Sequence, residues 1–187
     1  MWDNIIVRQG DWLMLVDSDP VTDPAGTLAI ESMVGGWVVA GGGELGLFRP
    51  NPRYRPADPA APADPIDALL RRGASGVPVG GDLLAAVCGS VVEIGCDTTG
   101  IPVTGIAPDG VQCVPVVSAA IHRGRLDIPQ WLPVAGAALP DVLPAGADIL
   151  LNPESPARFR LAADAVARAR SERSRRREQS REYLRGN

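Results

Sequence analysis

Residues 148–169 read Asp148-Ile-Leu-Leu-Asn-Pro-Glu-Ser-Pro-Ala-Arg-Phe-Arg-Leu-Ala-Ala-Asp-Ala-Val-Ala-Arg-Ala169. Asp148-Ile-Leu-Leu151 is a short apolar run of strand length. Asn152-Pro153 stops it, because proline cannot donate to a strand ladder. Phe159-Arg-Leu161 then leads into a helix from about Ala162, whose apolar residues recur at helical spacing: Leu161, Ala165, Val166 and Ala169. Strand, turn and helix in one short stretch point to an α+β fold. The expectation is a mixed or mostly antiparallel sheet, short flanking helices, and a C-terminal helix running into an Arg-rich tail.

The rest of the chain reads the same way. Trp12-Leu-Met-Leu-Val16 is a compact apolar strand, and Val34-Gly-Gly-Trp-Val-Val39 is a second. The Gly pair in the latter predicts a bulge or a close backbone approach. Gly41-Gly-Gly43 turns the chain into a third strand, Glu44–Phe48, to give a hairpin. Residues 49–65 contain six prolines and cannot join a central strand. This segment should run extended over the surface or wrap a neighbour. Asp64-Pro-Ile-Asp-Ala-Leu-Leu-Arg-Arg-Gly73 carries helix signals: Asp64 as N-cap, Pro65 at the first position, Asp67 at the positive helix end, Gly73 as the stop. Asp82–Cys88 reads as a second helix. Residues 90–96, 101–106 and 111–121 read as a three-strand meander, turned at Asp97-Thr-Thr-Gly100 and Pro108-Asp-Gly110. Trp131–Val134 is a further strand and Ala137–Leu143 a short helix.

The charge is unevenly placed. All 18 basic residues are Arg, which reflects coding bias. Residues 168–187 hold eight Arg and three Glu, whereas the chain as a whole has a net charge of −4. An acidic body with a short basic tail is not the pattern of a dedicated nucleic-acid-binding domain, which carries its basic face on the fold. The domain reading is therefore 1–167 as one body and 168–187 as a helical or disordered tail. Cys88, Cys96 and Cys113 lack metal or redox spacing and read as buried free thiols in a reducing compartment. With no leader-like or membrane-spanning run, the expected location is the cytoplasm.

Motif-like phrases fail their structural requirements. Gly41-Gly-Gly-Glu-Leu-Gly46 matches G-x-G-x-x-G, but a dinucleotide site needs that motif to open a helix. Here it runs into Leu47-Phe-Arg-Pro-Asn-Pro52, which cannot begin one. Asp97-Thr-Thr-Gly100 is one residue off an aspartic-protease signature and has no second copy. His122 is the only histidine, and no carboxylate or thiol near it in sequence completes a metal site. It could serve Ser118 or Cys113 as a base, although nothing in the spacing indicates this. Asp58, Asp64, Asp67 and Asp82 are read as capping residues. No cofactor, metal or catalytic residue is expected.

Several phrases together resemble one family: Val34-Gly-Gly-Trp37, Phe48-Arg-Pro-Asn-Pro52 with Tyr54, Ala63-Asp-Pro-Ile-Asp-Ala68, Ala107-Pro-Asp-Gly-Val-Gln-Cys113, His122-Arg123, and Asp148–Pro153. They are similar to the type VII secretion system-associated proteins of high-GC Gram-positive bacteria. The closing strand, turn and helix are similar to an SseB-like domain, with Asn152-Pro-Glu-Ser155 where the family phrase is Asn-Pro-Gly-Ser. The resemblance spans about residues 11–167 and excludes the tail. It implies a non-catalytic accessory or adaptor protein that binds a secretion substrate or machinery component. Trp37, Phe48, Asn51, Arg53 and Tyr54, on and beside the proline-rich segment, are the candidate partner-binding residues, since aromatics beside proline suit docking. A core position for Trp37 is equally compatible. Two rival readings remain: an immunity protein whose acidic body neutralises a basic toxin, and a small hydrolase using His122.

Overall fold

The computed structural model describes residues 5–22, 24–124 and 126–185. Along the final helix the side chains of 177 and 180–185 lie outside that description. Four strands open the chain: β1 (Ile5–Gln9), β2 (Trp12–Val16), β3 (Met33–Val39) and β4 (Leu45–Pro50). Helices α1 (Pro65–Ala74) and α2 (Gly80–Cys88) follow, then β5 (Val91–Cys96), β6 (Gly105–Ile106), β7 (Gln112–Val117) and β8 (Gln130–Ala135). The chain closes with α3 (Leu139–Val142), β9 (Asp148–Leu151), β10 (Phe159–Leu161) and α4 (Ala163–Arg185). The fold is α+β.

These strands form two sheets. The first is an antiparallel meander, β1-β2-β3-β4. The second has the order β10-β9-β7-β5-β8, with β6 beside one end of β7. It is mixed, because β7 and β9 pair in parallel while their neighbours are antiparallel. A parallel pair needs a crossover, which β8 and α3 supply here. Among the described residues, one isolated bridge, Phe48 to Ser90, joins the two sheets.

The apolar pattern divides in the same way. Val92, Ile94, Val114, Val116, Ile149 and Leu151 form one face of the second sheet and are all buried. Ile66 and Leu70 of α1, Leu83 and Val87 of α2 and Val166 of α4 pack onto that face. Each fully buried aliphatic side chain of this kind contributes about 1.5–3 kcal/mol. The first sheet has a separate small core of Leu15, Val34, Phe48 and Tyr54, with Trp37 packed against it.

The predicted close backbone approach is present. A Cβ on Gly35 would lie 2.4 Å from the Arg49 carbonyl and 2.5 Å from Phe48 Cζ. The β2–β3 register also shifts between Leu15 and Val16. Two expectations are corrected. Residues 90–121 are not a meander: β5 pairs directly with β7 on one side and with β8 on the other, while β6 is only two residues long. Pairing with the later strand β8 buries β5 as a central strand, which a local hairpin would not do. Gly73 does not stop α1, which continues through Ala74 to a Ser75 cap, with Gly76 taking the left-handed turn at φ 88°.

Helix α4 runs unbroken through the Arg-rich stretch to Arg185. Among its described side chains, the last that packs on the core is Ala169. The end of the expected tail, 186–187, and the Tyr183-Leu184 side chains lie outside the described residues. Among the described residues, no helix is long and apolar enough to cross a membrane.

Candidate functional site

The five candidate partner-binding residues do not form one exposed patch. Phe48 and Tyr54 are each 3% exposed and belong to the first sheet's core. The Tyr54 hydroxyl donates to buried Asp17 Oδ2 at 2.8 Å. Burial, followed by the neighbouring Asp17 carboxylate, pushes the Tyr54 phenol well above its ordinary range. Trp37 is half-buried and tilts onto the Phe48 ring, with centroids 4.8 Å apart. Asn51 is a tether: its Nδ2 donates to the carbonyls of Ile30 and Met33, and its Oδ1 accepts from Arg53 N. Arg53 is exposed and pairs with Glu31. The proline-rich segment therefore holds its aromatics inward, because Asn51 and Tyr54 anchor it to the 17–33 loop.

Trp12 and Val38 lie on the opposite face of the first sheet. Register aligns Val7, Met14 and Gly36 in one row, and Gln9, Trp12 and Val38 in the next. Alternation turns this face away from Leu15, Trp37 and Phe48. Trp12 is 38% exposed and Val38 39%. Among the described residues strand β1 ends the sheet, with Ile5 and Ile6 exposed and the charged Arg8 exposed between them and the turn.

The structure also brings together a polar cluster that its sequence positions conceal. Asp64 caps α1, its Oδ1 accepting from Ile66 N at 2.8 Å and Asp67 N at 3.0 Å. Its Oδ2 accepts from Ser118 Oγ at 2.6 Å. Ser118 N donates to Asn152 Oδ1, and Asn152 Nδ2 donates back to Ser118 Oγ, both at 2.9 Å. Asn152 sits at φ 47°, a left-handed position that asparagine tolerates. Asp67 Oδ2 accepts from Ala63 N and from Arg71 Nε. His122 completes the group, its Nε2 lying 3.6 Å from Asp64 Oδ2 and 3.9 Å from Asp67 Oδ2. Among the described residues, two buried side-chain atoms make no hydrogen bond, His122 Nε2 and Asp67 Oδ1.

This cluster clamps α1 to the ends of β7 and β9. It does not assemble a nucleophile and its base. Nucleophilic catalysis needs an imidazole or comparable base beside the hydroxyl or thiol. The Ser118 hydroxyl is buried and donates to a carboxylate that already caps a helix. No hydrogen bond links the His122 ring to Ser118 or Cys113, among the described residues. Cys113, Cys88 and Cys96 are buried free thiols, each pushed up in pKa first of all by burial. Among the described residues, no group of three His, Cys, Asp or Glu side chains could hold a metal ion.

Of this cluster, the Asp64 cap was legible from Asp-Pro before an apolar run. The partnership with Ser118 and Asn152 had no local signal, because the partners are separated by 54 and 34 residues. Compared with known proteins, the chain matches no family model, no curated protein and no solved structure.

Proposed function

We propose that this chain works without catalysis, by binding another protein, as an accessory or adaptor factor of a type VII-like secretion system. The observation that supports binding is the outward face and open edge of the first sheet. Exposed Trp12 and Val38 share that face with half-buried Val7 and Met14, and Ile5 and Ile6 stand exposed on β1. Contiguous exposed apolar surface marks an interaction site. Among the described residues β1 is an edge strand without proline or a bulge, although Arg8 puts one charge on it, and such an edge offers unpaired ladder groups to another strand. The secretion setting rests on the family resemblance of the sequence phrases. The docking surface thus moves from the buried aromatics Phe48 and Tyr54 to the opposite face.

The test is affinity capture from cells of a high-GC Gram-positive bacterium, comparing the chain with a Trp12→Asp/Val38→Asp double variant. The expected result is retention of a secretion substrate or machinery protein by the first and its loss by the second, with unchanged circular dichroism. Equal capture by both would move the interface elsewhere. Capture of a basic toxin alone would replace the adaptor reading with the immunity reading. Normal secretion in a deletion strain, with no secretion protein captured, would overturn the setting.

A further inference from the structure

Strand β1 shows apolar side chains to water on both of its faces. Consecutive strand residues point to opposite faces, and Ile5 and Ile6 are 47% and 59% exposed. Ile5 lies with Val7 on the outward face. Ile6 stands opposite Leu15 in the β1–β2 register, so it belongs to the face that carries the small core. That core of Leu15, Val34, Phe48 and Tyr54 does not extend to Ile6. A partner lying flat on the outward face would cover Ile5 and leave Ile6 in water. A chain running alongside β1 reaches both.

The backbone points the same way. Gln9 pairs with Trp12 across the two-residue turn Gly10-Asp11. The bond that closes such a turn joins the residues flanking it, so Gln9–Trp12 is a hydrogen-bonded pair. Bonded and non-bonded pairs alternate along an antiparallel ladder, which makes Val7–Met14 and Ile5–Val16 the other bonded pairs. The N–H and C=O groups of Ile6 and Arg8 therefore point away from β2. Among the described residues, no strand lies beyond β1 to receive them.

Arg8 adds a charge to this edge. Its side chain is exposed, on the same face as Ile6, and its Nε reaches the Gly10 carbonyl at 3.5 Å. Among the described residues it meets no carboxylate.

We propose that β1 receives an extended segment of the partner as a further, antiparallel strand of the first sheet. The segment carries an acidic residue opposite Arg8, then apolar residues opposite Val7, Ile6 and Ile5. Antiparallel pairing continues the order of this sheet and is the more stable kind per residue. Main-chain bonds to Ile6 and Arg8 hold the segment, and the acidic residue fixes its register. This inference rests on the protein-binding reading above and narrows it to an edge and a partner sequence: acidic, apolar, apolar, apolar.

The test uses the full chain, isotope-labelled for NMR, and the synthetic peptide Ser-Thr-Glu-Val-Ile-Val-Thr-Ser, beside the same peptide with Lys in place of Glu. Binding of the Glu peptide should slow amide hydrogen exchange at Ile6 and Arg8 at least about tenfold and change Val7 little, because the Val7 amide is already bonded to β2. The Glu peptide should bind about tenfold more tightly than the Lys peptide, and Arg8→Glu should reverse that order. Ile6→Pro should bind neither peptide, since proline removes an outward N–H and none that β2 uses. The proposal is overturned if millimolar Glu peptide leaves exchange at Ile6 and Arg8 unchanged, or if Arg8→Glu keeps the original preference. Slow exchange at both residues in the free chain, deepening with protein concentration, would put a second copy on the edge and overturn it too. Peptide binding lost in Trp12→Asp/Val38→Asp but kept in Ile6→Pro would place the peptide across the outward face: the edge inference falls and the docking reading stands. Binding kept in Trp12→Asp/Val38→Asp and lost in Ile6→Pro supports the edge.

Discussion

Ser118 Oγ donates to Asp64 Oδ2 at 2.6 Å across 54 residues of sequence, joining the N-cap of α1 to the end of β7. One carboxylate thus serves two purposes: Oδ1 starts the helix and Oδ2 docks it on the sheet. The return bond from Asn152 extends the link to the end of β9. Because all these groups are buried, each partner depends on the others to offset its desolvation.

Ser118→Ala should accordingly cost about 1–3 kcal/mol of unfolding free energy, since it leaves a buried carboxylate oxygen and a buried amide without a partner. Asp64→Ala should cost more, because the helix cap is lost as well. Chemical denaturation followed by far-UV circular dichroism measures both. If Ser118→Ala unfolds at the wild-type denaturant concentration, the clamp is not a stabilising element.

Gly35→Ala tests the close approach in β3. Its Cβ would meet the Arg49 carbonyl and the Phe48 ring at distances no side chain tolerates. The β3–β4 pairing must open or the Phe48 ring must leave its place. We expect a loss of about 1–3 kcal/mol, together with a rise in Trp fluorescence intensity change on mild heating as Trp37 separates from Phe48. A variant as stable as the wild type would mean that the strand yields without cost.

Tyr54 gives a pH prediction. Burial and Asp17 raise its phenol above the ordinary value of 10.0 in the folded chain, so the folded state holds that proton more tightly than the unfolded state. The associated stability is complete below about pH 10 and declines as pH rises from there through the folded value. Tyr54→Phe should remove part of this alkaline sensitivity. At neutral pH it should cost about 1–3 kcal/mol, because Asp17 Oδ2 loses its donor. Urea melts at pH 7 and above pH 10, compared between the two proteins, check both halves. An identical alkaline profile in the variant would contradict the assignment.

The thiols offer a test of packing. Cys88, Cys96 and Cys113 are at most 2% exposed, and burial raises each thiol's pKa. Only thiolate reacts readily with a disulfide reagent. Native protein should therefore show no fast-reacting thiol, and denatured protein should show three. Rapid labelling of any one under native conditions would mean that its part of the core opens easily.

Local signals along the chain were enough for the elements whose cause is local. Asp64 with Pro65 starts a helix because cap and first-turn bonds join residues two and three apart. The turn at Asp97–Gly100 closes on its own carboxylate, which Thr99 and Ile101 hold below the usual range. Asp148–Leu151 is a strand because a short apolar run before Asn-Pro has little alternative. The α+β class follows from these pieces. Tertiary pairing decided the rest. It chose β8 over β6 as the partner of β5, split the strands into two sheets, turned Phe48 and Tyr54 into core residues, and set His122 against two carboxylates more than 50 positions away. Aromatic side chains beside prolines satisfy a docking surface and a small core equally well. Only the alternation of a paired sheet, with one face against a core and the other against water, assigns them to one side.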